Sequence, residues 1–319
     1  MFDNMDYIYE VYKEGSFSKA ARNLYISQPS LSASVKRVED RLGYPIFDRS
    51  TKPLRLTEVG SRYVECMLAI KNIERDFTDY INDYGELRSG SLRLGGTNLI
   101  SSLIAPKIMR RFVTKYPQVS LELVEGNTSD LEEMLKNGSV DMVIDYTMSS
   151  IDDYDYRKLT GEHLVLTVPK SFPVNERLKK YALSMEDIKT GKDLDPSTPA
   201  VPLEEFRDVP FVLLKKKNDS YRRAMHICAQ AGFEPQASFE AEQQMTAWHV
   251  CYSGLGAAFV SSLLLCRVSS NADVLFYRVD SPEIYRQLSI LWKKERYLTR
   301  TMQEFRNMAM EEFGLKAEP

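Results

Sequence analysis

Apolar residues recur at three- and four-residue steps through the N-terminal quarter of the chain, the spacing of helices that bury one face. Phe2, Met5, Ile8 and Tyr12 make the first stripe. Gly15 stops it, and Ser16 can cap a second helix built on Phe17, Ala20, Ala21 and Leu24. Tyr25 and Ile26 make a short turn. Ser27 then suits an N-cap, and Pro29 is tolerated in the first turn. Leu31, Val35, Val38 and Leu42 line the inward side of a third helix that ends at Gly43. Ile46-Phe47 and Leu54-Arg55-Leu56 read as two short strands around a turn. Thr57 can cap a long helix with Glu58 in its first turn. Val59, Tyr63, Met67, Ile70, Ile73, Phe77, Ile81 and Tyr84 follow close to a heptad seam. From Glu58 to Gly85 such a helix spans about 42 Å. A partner helix from a second copy would cover its seam. The other reading is packing against the chain's own C-terminal part.

After Arg88-Ser89-Gly90 the pattern changes. SLRLGGT, VSLELVEG and DMVIDY read as strands, separated by the helical stretches LISSLIAPKIMRRFVTKYP and DLEEMLKNG. FVLL, SYRRAMHICAQAGF, ASFE, QMTAWHVCYSG and GAAFV repeat the alternation. Strands alternating with helices predict βαβ units around parallel sheets. VLFYRV, LSILWKK and a helix from Leu298 to Phe313 read as a return to the first lobe. The fold class is therefore α/β multidomain.

Length and composition agree with that division. The 319 residues are too many for one ordinary core, and 43% hydrophobic with 27% charged residues is a globular balance. No apolar run is long enough for a membrane span. The opening MFDNMD is acidic, so no secretory leader is expected, and the expected location is the cytoplasm. Cys66, Cys228, Cys251 and Cys266 form no CxxC pair, and His163, His226 and His249 never stand four apart. No metal or cofactor is expected, and packing is the simpler role for the thiols; a redox switch would need an exposed, low-pKa Cys with a resolving partner.

Charge changes the picture more. The chain carries a net −3, yet Lys19 to Arg55 holds eight basic and three acidic residues. A local basic patch in an acidic protein is the footprint of nucleic-acid binding, although a solvated helix face would also carry such charge. Helix, tight turn, helix is the arrangement whose second helix enters the major groove. Gln28, Ser30, Ser32, Ser34 and Arg37 fall off the Leu31/Val35/Val38 stripe. Short hydroxyls allow close approach; Gln28 can read adenine, and Lys36 or Arg37 can reach guanine or phosphate. The candidate DNA contacts are thus Ser27, Gln28, Pro29, Ser30, Ser32, Ser34, Lys36 and Arg37, with Arg49, Lys52 and Arg55 on a wing against the flanking phosphates or minor groove.

AARNLYISQPSLSASVKRVEDRLGYPIFDRS followed by LRLTEVG resembles the LysR-type transcriptional regulator family. SQPSLS, LG, IFDR and LT..G stand in the family's order and spacing. Val38 before Glu39 and Ile46 before Phe47 replace the commoner leucines. The resemblance implies a winged helix-turn-helix over 1–60, a linker and dimerisation helix over 58–88, and a two-lobed effector-binding domain over 89–319 similar to periplasmic solute receptors. Lobe I would take about 89–162 and 271–319, lobe II about 163–270. It also implies double-stranded DNA and a small-molecule effector as partners, and a homodimer through the linker helix that can assemble to a tetramer.

Effector candidates come from loops at strand ends. Thr97, Asn98, Ser101 and Ser102 open one helix and Thr128 the next, where hydroxyls and free N–H groups can hold an anion; plain capping by one residue per helix is the simpler reading. Lys215, Lys216 and Lys217 end the first strand of lobe II, a position that faces the cleft in the family. Three lysines there would favour an acidic effector, with Lys215 and Lys216 as the candidate contacts, and an exposed, solvated run explains them at least as well. Gln244, with Gln243 and Met245, begins a helix bordering the cleft. The residues from Ser171 to Pro210, with the Pro-rich DPSTPAVP, form a longer connection than the family usually has and read as a surface loop, a lid or an interface.

An enzyme is the competing class. The sequence contains no nucleophile elbow, phosphate-cradling lysine loop, HExxH or Ser-His-Asp set that would support one. A transport receptor would need a leader.

Overall fold

The computed structural model describes residues 2, 4–51, 54–83, 90–146, 151–268, 273–294 and 296–317. The chain forms two compact units, Met1–Ile81 and Asn82–Pro319.

In the first unit, α1 (Met5–Glu14), α2 (Phe17–Asn23) and α3 (Gln28–Leu42) are followed by a hairpin of β1 (Phe47–Asp48) and β2 (Arg55–Leu56), then α4 (Glu58–Asp83). The caps are those the sequence calls for. Gly15 and Gly43 end α1 and α3 in the left-handed conformation, and the Ser16 and Ser27 hydroxyls accept the N–H groups of Lys19 and Ser30. Ile8, Val11, Ala20, Leu31, Val35, Val38 and Ile46 are fully buried together. Val11, not Tyr12, completes the first stripe; Tyr12 is on the surface.

The long helix departs from the expected seam. Tyr63, Val64, Met67 and Leu68 turn into the core of the first unit, whereas Ile73, Phe77 and Ile81 are 69%, 66% and 53% exposed. Two turns of α4 are thus the fourth wall of the head, and only the later turns offer a bare apolar stripe. Tyr84 and Gly85 lie outside the described residues.

The second unit opens with β3 (Gly90–Gly96), α5 (Asn98–Leu103), α6 (Ala105–Lys115), β4 (Val119–Glu125), α7 (Thr128–Lys136) and β5 (Met142–Asp145). β6 (Tyr154–Pro169) follows, then α8 (Val174–Leu178), β7 (Ala182–Leu183), α9 (Met185–Lys189), β8 (Pro210–Leu214), α10 (Asp219–Gln230), β9 (Gln236–Ala241) and α11 (Gln244–Tyr252). β10 (Ala258–Ser261), α12 (Ser262–Leu265), β11 (Val274–Tyr277), β12 (Tyr285–Lys293) and α13 (Arg300–Glu312) complete it. Strands run in the order β4-β3-β5-β12-β6-β11-β7, with β10 also on β6, and β8-β9 form a separate pair.

β6 joins the lobes. Its Tyr154–His163 half pairs with β12, and its Leu164–Pro169 half pairs with β10 and β11. One lobe has its core around Leu92, Phe112, Ile144, Ile290 and Phe305; the other buries Leu166, Phe206, Phe211 and Tyr277 on one side and Trp248 and Val260 on the other.

Three expectations are corrected here. β3, β4 and β5 are mutually parallel, as are β8 and β9, but β6, β10, β11 and β12 pair antiparallel. A strand that crosses between lobes pairs with strands running back, and antiparallel neighbours do not require the helical crossover that parallel ones do. VLFYRV does not return to the first lobe: β11 pairs with the far half of β6 and with β7, so the return comes at β12. The lobe boundary expected near residue 271 therefore falls between β11 and β12. Last, 171–210 is no free loop. Val174, Leu178, Met185, Ile188, Val201, Leu203 and Phe206 are core residues, and even in DPSTPAVP the Thr198 side chain is buried and the Val201 amide donates to Arg278. Short helical turns hide the periodicity that would have revealed it.

Candidate nucleic-acid interface and effector cleft

α3 presents Ser27, Gln28, Pro29, Ser30, Lys36 and Arg37 outward, while Leu31, Val35 and Val38 hold it to the head. Gln28 accepts a hydrogen bond from the Ser18 hydroxyl at 2.9 Å, which aims its amide from the helix start. Exposed Ala33 adds a second small residue to the face. Tyr25 stands 96% exposed in the turn between α2 and α3, with φ 55°.

Three predicted contacts serve the head itself. Ser34 is buried and accepts from Arg37 Nη2 at 2.9 Å; a helix fixed by Leu31 and Val35 turns position 34 inward. Half-buried Ser32 accepts from Arg49 Nη1 at 3.1 Å. Arg49 also donates to Glu39 Oε2 at 3.1 Å and lies 4.8 Å over the Phe17 ring. Glu39 Oε1 in turn accepts the Ile46 and Phe47 amides at 2.9 and 3.3 Å. Arg49 is thus a latch between wing and helix. Arg55 remains exposed, opposite Asp48 in the hairpin. Lys52 lies outside the described residues. Glu39→Ala strands two amides and one guanidinium, and is expected to lower the head's stability by about 2–4 kcal/mol. Thermal unfolding followed by circular dichroism checks this; an unchanged first transition would refute the latch.

In the second unit, Thr97, Leu99, Thr128, Tyr146, Leu214, Asn218, Asp219, Ser220, Gln243, Gln244 and Arg286 enclose a cleft between the lobes. Its space is about 30 Å³, roughly one water, whereas small-molecule sites run to about 300 Å³ or more. Admission of an effector requires the lobes to part. Thr97, Thr128 and Gln244 line the cleft as expected. The others do not. Asn98 donates to Glu125 at 3.2 Å, buried Ser101 donates to the Gly96 carbonyl at 3.1 Å, and Ser102 points to solvent. Lys215 is ion-paired with Glu242, Lys216 is exposed, and Lys217 reaches Asp130 at 3.5 Å. A chain leaving β8 for a helix turns its lysines along the rim, where water solvates them.

The residue missed at this site is Arg286. It is cross-strand partner to Glu162 at the junction of β6 and β12, and the two side chains are ion-paired with exposures of 2% and 0%. Arg286 Nη1 donates to Ser220 Oγ at 2.9 Å, and its guanidinium lies 3.8 Å over the Tyr146 ring. Glu162 accepts the Ser261 hydroxyl, and Gln244 Nε2 donates to Ser220 Oγ at 2.9 Å. Arg286 thus ties the strands of one lobe to the start of α10 in the other, and Glu162 and Ser220 extend the network to the ends of β10 and α11. Burial alone would lower the Arg286 pKa, but the charge and hydrogen bond of Glu162, together with Tyr146 and Asp219, outweigh it and raise it. Burial pushes the Asp219 carboxyl up, and the bonds and charges of Arg222, Arg223 and Arg286 more than reverse that. Burial raises Asp145 to about 6, and the nearby Tyr146 amide, Thr128 hydroxyl and Arg286 charge only partly oppose it. The end of DMVIDY was the available signal for Asp145 and Tyr146, since carboxyl ends of strands face ligands in open α/β sheets.

The profile of the bacterial regulatory helix-turn-helix protein, lysR family, matches residues 2–61, and that of the LysR substrate binding domain matches 85–190 and 193–314. The chain belongs to the LysR family. This LysR-type transcriptional regulator is 30% identical over 310 residues to the uncharacterized HTH-type transcriptional regulator YcgK of Bacillus subtilis (strain 168), covering 96% of this chain and 93% of YcgK. CbnR, a LysR family transcriptional regulator, matches with a TM-score of 0.63 at 17% identity over 100% of both chains, and has also been solved with its target DNA. The CcmR regulatory domain of Synechocystis PCC6803, solved with 2-PG, has a TM-score of 0.58 at 16% identity, covering 70% of this chain and 97% of that one. The substrate-domain match breaks only at 191–192, so the connection from Ser171 to Pro210 belongs to the LysR domain. These relatives are regulators, not enzymes. No group of three or more His, Cys, Asp or Glu among the described residues is arranged to hold a metal ion, and none of the described helices is long and apolar enough to cross a membrane. Burial pushes the Cys228 and Cys251 thiols up to about 12, away from the thiolate that redox chemistry needs.

Proposed function

We propose that this LysR regulator reads promoter DNA with Ser27, Gln28, Pro29, Ser30, Lys36 and Arg37, and that Arg55 and Lys52 on the wing meet the flanking phosphates or minor groove. The single observation behind this reading is the outward polar and basic face of α3, set opposite a fully buried apolar stripe. Exposed Tyr25 adds a backbone contact at the turn. Ser32, Ser34 and Arg49 act at one remove, by holding the helix and wing in register. A small-molecule effector occupies the cleft between the lobes, with Thr97, Thr128 and Gln244 on its walls. Lobe movement on binding shifts the population between two assemblies that present the DNA heads at different angles. Ile73, Phe77 and Ile81 support a homodimer through α4, because an apolar stripe this bare calls for a partner. The same logic allows a tetramer, and the protein works in the cytoplasm.

The test is binding to genomic fragments captured by the full-length protein. Arg37→Ala is expected to weaken binding by about 1–3 kcal/mol and to relax sequence preference. Arg55→Ala is expected to weaken all sequences alike and reduce the salt slope by about one. Unchanged footprints in both variants would remove the groove assignment.

A further inference from the structure

Directly behind the cleft wall lies a carboxylate that its surroundings satisfy only in part. Asp145 ends β5, its side chain has 0% exposure, and neither carboxylate oxygen receives a hydrogen bond of normal geometry. A buried carboxylate without donors is costly, so such a group calls for an outside donor. The groups that act on it are the Tyr146 amide, Thr128, Arg286 and Asp219, and all four residues line the cleft. The titratable and charged groups around it are Tyr146 just past β5, Asp219 on α10 and Arg286 on β12, with Glu162 on β6 acting on Tyr146. The Arg286 charge is already engaged by Glu162. Of the lysines expected to attract an acid, Lys215 and Lys217 are spent on the rim, on Glu242 and Asp130, and Lys216 is exposed to solvent. The cleft floor is therefore backed by a carboxylate with acceptor capacity to spare, beside an arginine whose charge is shared with Glu162.

The opposite wall has the reverse character. α11 begins at the cleft with Gln243 as its N-cap, and no side chain caps that end. Its free N–H groups and the positive end of its dipole face the space shared by Thr97 and Gln244. One wall suits a carboxylate and the floor suits a cation.

We propose that the effector is a small zwitterion, an α-amino acid, whose ammonium sits on Asp145 and whose carboxylate sits at the start of α11 with Thr97 and Gln244. This rests on reading the cleft as the effector site. Asp145 is then the residue that selects an amino acid over the acid lacking the amine: it accepts two hydrogen bonds and supplies the counter-charge.

The experiment screens the full-length protein by thermal shift, then calorimetry, against the common amino acids and their α-hydroxy-acid counterparts. At least one amino acid is expected to bind, and its hydroxy acid is expected to bind at least about tenfold more weakly. Asp145→Asn is expected to weaken the amino acid about tenfold or more while leaving the hydroxy acid little changed. Ammonium binding needs ionised Asp145, whose pKa stands at about 6. Affinity should therefore fall about tenfold from about pH 7 to about pH 5, as protonation removes the counter-charge. That profile belongs to the wild-type protein, so it decides the matter even if the variant does not fold. No binding by any amino acid, equal binding by the hydroxy acid, or a flat pH profile would overturn the proposal. Thr128→Val and Gln244→Ala separate the two readings. If they leave the affinity of a bound ligand unchanged, the cleft is not the effector site. If they weaken it and Asp145→Asn does not, the cleft stands and the zwitterion falls.

Discussion

Arg286→Ala is expected to destabilise the second unit by about 3–5 kcal/mol, the cost of leaving one partner of a buried ion pair alone. For a unit of this size that is a fall in melting temperature of roughly 6–20 °C. Removing the guanidinium leaves Glu162, with 0% side-chain exposure, as a bare charge between β6 and β12. It also removes the donor to Ser220 at 2.9 Å and the cation 3.8 Å above the Tyr146 ring. The pair itself adds less than that figure suggests, because both charges gave up hydration to be there. Arg286→Met combined with Glu162→Gln should therefore recover much of the loss. A double-mutant cycle on thermal or urea unfolding measures the coupling. A single-variant melt within about 2 °C of wild type would show that water reaches Glu162 and that the junction is looser than described.

Gly60→Ala is expected to disrupt the head, and the sign makes the result diagnostic. In an exposed helix this change stabilises by about 1 kcal/mol. Here a Cβ at position 60 would stand 1.9 Å from the Ile46 carbonyl oxygen and 2.8 Å from its carbon. That carbonyl cannot yield cheaply, since it accepts the Thr57 amide at 3.0 Å and belongs to the chain entering the wing. The first turn of α4 presses on the wing at this point, and the Thr57 hydroxyl bridges the Gly60 amide at 2.9 Å and the Pro45 carbonyl at 2.6 Å. We expect a loss of about 3 kcal/mol or more and of DNA binding, while the effector unit keeps its own transition. Two-wavelength circular dichroism with a DNA-binding assay checks this. A stabilised head would mean that α4 does not press on the wing.

The head was legible because its elements announce themselves locally. Gly15, Ser16, Ser27 and Gly43 act on residues within four positions, so periodicity and caps define α1, α2 and α3 without help from the rest of the chain. The helical repeat itself turns Ser34 inward, three residues after Leu31 and four before Val38, whereas the engagement of Ser32 by Arg49 depends on the wing, which the repeat does not contain. The cleft was legible only in part. Thr97, Thr128 and Gln244 follow from the rule that ligands meet strand and helix ends. Arg286 and Glu162 do not, because neither spacing nor composition says that residues 124 positions apart will be neighbours on adjacent strands.

The amino-acid sequence by itself determined the class of this protein: a basic helix-turn-helix head, a long helix and an α/β effector unit. Each of those rests on short-range periodicity, capping and charge, which a linear pattern carries. The tertiary structure alone decided which face each long-range partner serves: that α4 spends its first turns on the head, that Ser171 to Pro210 is core, that β11 stays with the second lobe, and that Asp145 and Arg286 meet at the cleft. These depend on pairing and burial between distant segments. Desolvation there sets both the stability and the charge of a side chain, and no local window contains it.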